Sequence, residues 1–170
     1  MSEAKEIQLA IAAYAEAYAR LQELQEKSKL IPKGDQKTGC IGEFYAYLYI
    51  RARFPQREVF YGGHNEKGWD IKVRLADGSK RFQVKTVSAY ADARRISPIH
   101  PGWNELFLIY LDKDFKPIGF WIVAGNSIVA EGNVLKSCVC RKPGNPSTGS
   151  GIIPFSENRV AQLIEAVDGS

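Results

Sequence analysis

Residues 68–87, Gly-Trp-Asp-Ile-Lys-Val-Arg-Leu-Ala-Asp-Gly-Ser-Lys-Arg-Phe-Gln-Val-Lys-Thr-Val, constrain the fold more than any other part of the chain. Ile71, Val73 and Leu75 alternate with Asp70, Lys72 and Arg74, while Phe82, Val84 and Thr86 alternate with Arg81, Gln83 and Lys85. A period of two marks strands with one buried face. Asp77-Gly78 between the two runs is a strong hairpin signal. A two-residue loop there pairs Asp70 with Lys85 and Lys72 with Gln83, and gathers Asp70, Gln83 and Lys85 on one polar face. Val87-Ser88 and the apolar residues nearby place the second strand inside the sheet, where Gln83 and Lys85 need partners for their polar groups. The competing interpretation is an exposed strand face of solvated charge pairs.

A carboxylate and an amide oxygen converging from adjacent strands suit a hard, oxygen-seeking cation, and a lysine beside them suits the handling of an attacking water. Glu43, in Gly39-Cys40-Ile41-Gly42-Glu43, adds a second carboxylate from a predicted helix. With Glu43, Asp70 and then Gln83-Val84-Lys85 in this order, the chain resembles the PD-(D/E)XK, or restriction-endonuclease-like, nuclease superfamily over residues 39–124. Gln83 stands where an acidic residue is usual, as in the Gln-x-Lys variant of Mrr-like enzymes, and no Pro precedes Asp70. The resemblance implies an α/β fold with a mixed sheet of four to five strands flanked by helices. It also implies Mg²⁺ or Mn²⁺ as cofactor, held by Asp70, the Gln83 side-chain oxygen, the Val84 backbone carbonyl and Glu43, with Lys85 positioning the water. The implied activity is hydrolysis of DNA phosphodiester bonds, by an endonuclease. A catalytically silent nucleic-acid-binding or interaction module of the same fold is the alternative, and a protein-only scaffold assembled through its N-terminal helix is a third.

Composition bounds this reading loosely. A chain of 170 residues, 45% hydrophobic and 25% charged, fits one ordinary globular domain. Its net charge of +4 permits a polyanionic partner without demanding one. Cys40, Cys138 and Cys140 form an odd set without paired metal-ligand spacing, so neither a disulfide framework nor a zinc finger is expected. No window approaches 18 uninterrupted apolar residues and no basic leader precedes an apolar core, so the expectation is a cytoplasmic protein with no membrane partner.

In chain order, residues 2–29 lack Gly and Pro and predict a long helix, with Ile7, Ile11, Tyr14, Tyr18 and Leu21 drawing an apolar stripe. That stripe is expected to pack on the rest of the chain, with a homodimer through this helix kept open. Ile31-Pro32-Lys33-Gly34-Asp35 breaks the helix. A second helix follows, capped by Asp35 or Thr38, with Ile41, Tyr45, Leu48 and Ala52 on its buried side and an end at Phe54-Pro55. Gly39 and Gly42 cost about 1 kcal/mol each against Ala inside a helix, which predicts close approach to the sheet or a ligand.

Residues 58–61 predict a strand, and 62–68 a polar loop containing His64 and Glu66, the latter a stand-in for Glu43. Trp69 is expected as a core anchor or a strand-edge aromatic, ahead of a base-stacking platform. Residues 88–103 read as an irregular stretch, which the resemblance would place over the substrate groove, with Arg94 and Arg95 as candidate phosphate contacts. Lys72, His64, Arg141 and Lys142 complete the candidate DNA-binding set, the last two opening a Gly/Ser-rich loop at 141–151. Strands are predicted at 105–111 and 118–124 around an Asp112-Lys113-Asp114 turn, then a short helix from Ser127 toward Lys136. A last helix capped by Ser156 carries Val160, Leu163, Ile164 and Val167 on its apolar side.

Overall fold

The computed structural model describes residues 3–32, 37–63, 66–125, 128–129, 132–136 and 138–170, with backbone alone for 3–12 and 15. In chain order the elements are α1 (Glu3–Lys27), α2 (Lys37–Arg53), β1 (Val59–Tyr61), β2 (Ile71–Leu75), β3 (Gly78–Ser88), β4 (Arg95–Ile96), β5 (Glu105–Leu111), β6 (Pro117–Ala124), β7 (Cys138–Val139) and α3 (Val160–Asp168). No described helix is long and apolar enough to cross a membrane.

Strand β3 is the axis of a five-stranded sheet in the order β1-β2-β3-β5-β6. It pairs antiparallel with β2 and parallel with β5, so the sheet is mixed. The alternation read in the sequence decides the two faces. Ile71, Val73, Phe82 and Val84 join Phe107, Ile109, Leu111 and Phe120 against Ala46, Tyr49 and Ile50 of α2 and Leu163 of α3. On the opposite face Val87, Leu106, Leu108, Tyr110 and Trp121 pack under Ile99, Trp103 and Ile153 and the β4–β7 ribbon. Every residue of β5 is buried, which is why its sequence is a continuous apolar run.

The hairpin register differs from the expectation. Leu75 pairs with Gly78 and Ala76-Asp77 form the loop, so Lys72 faces Arg81 and not Gln83, and the pairing continued from Ile71–Phe82 sets Asp70 beside Gln83 and not Lys85. Gly78 takes φ +146° while Ala76 and Asp77 keep negative φ, so the turn is not the type with two positive-φ residues that Asp-Gly favours. Only a one-residue slip moves side chains to the other face. The register found here is two residues away, so the hydrophobic pattern is satisfied equally by both.

Other boundaries moved for local reasons. Helix α2 begins at Lys37, so Thr38 lies inside it, and Asp35 falls outside the described residues. Leu48 is buried and Ile41 and Tyr45 pack against the core as expected, but Ala52 is exposed, and Ala46, Tyr49 and Ile50 are buried beside them. Ser156 does not cap α3: its hydroxyl donates to Ile122 O, and Asn158 Oδ1 instead accepts from Phe120 N (2.8 Å) and Val160 N (3.2 Å), tying the helix start to β6. The stretch 88–103 contains β4. Ser127 lies outside the described residues, and Leu135 forms a bridge with Ile99 in place of a helix.

Of the apolar stripe on α1, the side chains of Ile7 and Ile11 lie outside the described residues and Tyr14 is 69% exposed. The C-terminal end of α1 is held at Gln25, which is fully buried: its Nε2 donates to Pro32 O at 2.5 Å and its Oε1 accepts from Lys37 Nζ.

Candidate metal centre

Gly42 brings α2 onto the sheet. A Cβ at this position would lie 1.8 Å from Thr86 Oγ1 and 2.7 Å from Thr86 Cβ, so only glycine allows the helix to rest on β3 at this height. The next residue, Glu43, lies close enough to Asp70 and Lys85 for their charges to act on it. The close approach predicted from the glycines is therefore present at Gly42, and its consequence is the placement of a carboxylate.

Asp70 precedes β2. Its backbone N donates to Phe82 O (2.8 Å), its carbonyl accepts from Gly62 N (2.7 Å), and its Oδ2 accepts from Val84 N (2.7 Å). The carboxylate is thus fixed against β3 at the residue between Gln83 and Lys85. Gln83 is 1% exposed; its Nε2 donates to Lys67 O (3.1 Å), and among the described residues its buried Oε1 has no hydrogen-bond partner. A buried acceptor left in this state costs about 1–3 kcal/mol; Trp103 Nε1, Arg141 Nε and Arg159 Nε are also buried without a partner among the described residues, but they are donors and only Gln83 Oε1 could serve a cation.

The electrostatics agree with two carboxyl groups and a lysine sharing a partly desolvated space. Burial, and then the charge of Asp70, push the Glu43 carboxyl up to about 8 against the opposing pull of Lys85. Burial likewise raises Asp70, opposed by the Val84 N–H and Lys85. Burial lowers Lys85, opposed by Asp70, Glu43 and Cys138. Each group thus disfavours its own charge, the state that a bound divalent cation reverses for carboxylates. No three His, Cys, Asp or Glu side chains cluster for a metal among the described residues. Here a third donor would be the amide oxygen of Gln83, and the free Oε1 is the observation by which these residues fit a hard cation.

Glu43 and Asp70 line a cleft of about 580 Å³ at the β1 edge of the sheet, together with Phe60, Tyr61, Glu66 and Trp69. Trp69 is buried, 7% exposed, at the edge of the sheet where it lines the cleft. Glu66 is exposed on the cleft rim.

The basic candidates separate into two groups. Arg94 and Arg95 meet Arg141 and Lys142 at the β4–β7 ribbon: Cys140 N donates to Arg94 O (2.9 Å), Arg95 pairs with Val139, and Arg141 lies 4.7 Å over the Phe155 ring. Lys72 stands apart on β2, its Nζ 4.8 Å from both the Phe60 and Trp69 rings. His64 falls outside the described residues.

Two features carried no signal in the sequence. Glu105, 8% exposed, accepts from Arg53 (2.7 and 3.3 Å) and Lys80 (2.6 Å), locking α2 to β3 and β5. Tyr61 donates to Leu30 O at 2.9 Å beside Glu43, and burial raises its hydroxyl well above the usual range. Both depend on contacts distant in sequence.

No family model and no curated protein matches this chain. Among solved structures it is similar to a bacterial homing endonuclease, I-Ssp6803I, with a TM-score of 0.41 and 12% identity over 81% of this chain and 97% of that one.

Proposed function

We propose that the protein is a Mg²⁺- or Mn²⁺-dependent nuclease of the PD-(D/E)XK kind that hydrolyses DNA phosphodiester bonds as an endonuclease. The observation that carries this reading is the unpartnered, buried Oε1 of Gln83 beside a carboxylate fixed by a β3 amide. Asp70, Gln83 Oε1, the Val84 carbonyl and Glu43 would hold the ion. When bound, such a cation supplies a water of lowered pKa and neutralises charge developing on the phosphate. The Val84 N–H holds the Asp70 carboxylate in one orientation through Oδ2. Lys85, its ammonium destabilised by burial, is suited to orient the attacking water and exchange a proton at Nζ. Glu43 and Asp70 line the cleft, Gln83 and Lys85 do not, and in this reading the phosphodiester reaches the carboxylates through it.

Incubation of plasmid and branched DNA with Mg²⁺ or Mn²⁺ tests the reading against Asp70→Ala and Lys85→Ala. Cleavage by the native protein, abolished in both variants with DNA binding retained, is the expected result. Binding without cleavage under either metal would instead identify a silent binding module.

A further inference from the structure

One row of the sheet is arranged against its own electrostatics. Lys72 lies directly opposite Arg81 on β3, and on its other side Phe60 of β1 is in register with it. Like charges paired across strands destabilise a sheet, and neither Lys72 nor Arg81 takes part in an ion pair among the described residues. Arg74, two residues along the strand on the same face, is by contrast satisfied by Glu58 at 2.9 Å. The two unneutralised cations lie against aromatic rings: Lys72 Nζ is 4.8 Å from Phe60 and from Trp69, and the Arg81 guanidinium is 5.9 Å from Trp69. Phe60 and Trp69 both line the cleft that holds Glu43 and Asp70. Along β2 and β3 the row is two residues from Asp70 and Gln83, about 6.6 Å away.

We infer that this row is a nucleotide-binding ledge beside the cleavage site, with Lys72 and Arg81 taking the phosphate next to the one cleaved and Phe60 stacking its base. The inference rests on the nuclease reading and refines it. A base can reach Phe60 only when it has left its own stack, so the substrate is a strand whose nucleotide beside the cut is unpaired: a single strand, flap or overhang in preference to continuous duplex. Cations placed beside aromatic rings are the common composition of single-strand platforms, since every base offers a π-face and every nucleotide a phosphate.

The test compares fluorescently labelled single-stranded and overhang oligonucleotides with a blunt duplex of the same sequence. Binding is measured without metal by anisotropy over a range of salt. Native protein should favour the unpaired substrates. Phe60→Leu, which keeps apolar bulk and removes the ring, should weaken them roughly 5- to 150-fold while leaving the blunt duplex unchanged; Phe60→Tyr should retain affinity, which separates stacking from folding. The double variant Lys72→Gln/Arg81→Gln should flatten the salt slope for a single strand by about 0.7, one phosphate's worth, and Lys113→Gln, on the β5–β6 turn, should not. If the native protein cleaves DNA but these variants bind and cut all substrates as it does, the ledge is wrong and the nuclease reading stands. If the native protein neither binds nor cuts any of them, both fall together.

Discussion

Replacing Gly42 by Ala separates folding from function in this protein. The added methyl would sit 1.8 Å from Thr86 Oγ1 and 2.7 Å from Thr86 Cβ and Cγ2, while ordinary contact begins near 3.4 Å. Thr86 is β-branched on the central strand, with little freedom to give way. The helix therefore has to lift. On stability two terms oppose each other: Ala gains about 1 kcal/mol over Gly inside a helix, and overpacking costs about 1–3 kcal/mol. The net is a loss of at most about 2 kcal/mol. Activity should respond far more, because Glu43 rides on the displaced turn and a misplacement of about 1 Å at a reacting centre costs on the order of 100-fold. Urea unfolding, Mn²⁺ affinity and plasmid cleavage, measured on the same preparation, should show a small change in the first and large losses in the other two. Adding Thr86→Ala removes Oγ1 and Cγ2 and should restore part of the cleavage. A Gly42→Ala protein that binds Mn²⁺ and cuts as the native one does would refute the claim that this contact positions the carboxylate.

Further expectations follow from the same geometry. Gln83→Glu should tighten Mn²⁺ binding by restoring a charge, yet lower metal-free stability by losing the bond to Lys67 O and adding a third carboxylate; unchanged Mn²⁺ affinity in a calorimetric titration would count against the site. Because folding raises the Glu43 carboxyl from 4.5 to about 8, its contribution to stability is full below pH 4.5 and declines as pH rises to about 8. Urea midpoints of the metal-free protein should accordingly fall over that window, and fall less in Glu43→Gln. Glu105→Gln strands Arg53 and Lys80, whose side chains are 31% and 29% exposed, and should cost about 2–3 kcal/mol, below the range for breaking a fully buried pair, without altering relative preference among DNA substrates.

The sequence was most informative where chemistry and periodicity coincide. Ile71, Val73, Phe82 and Val84 identified the buried face of the hairpin, and their partners Asp70, Gln83 and Lys85 identified the polar cluster, because a period of two leaves no other sorting. Gly42 announced a close approach that the structure shows against Thr86. The register was not legible: a two-residue shift leaves each side chain on its own face, and the loop found, Ala76-Asp77 with Gly78 at φ +146°, is not the one the Asp-Gly signal points to. The Lys72–Arg81 opposition depends on that register and stayed hidden with it. Glu105 reads as the polar start of an apolar strand until Arg53 and Lys80 arrive from distant segments, and Gln25 reads as a solvated helix residue until Pro32 and Lys37 enclose it. Short-range pattern cannot encode contacts of that kind.

The central claim is that Gln83 Oε1 and the Asp70 carboxylate share one divalent ion within reach of Glu43 and Lys85. A crystal of the native protein soaked in Mn²⁺ tests it by anomalous scattering. A single strong peak within bonding distance of an Asp70 oxygen and Gln83 Oε1, absent from an Asp70→Ala crystal, is the expected result. A native crystal with no peak there, and with the Gln83 oxygen satisfied by a protein donor, would contradict it.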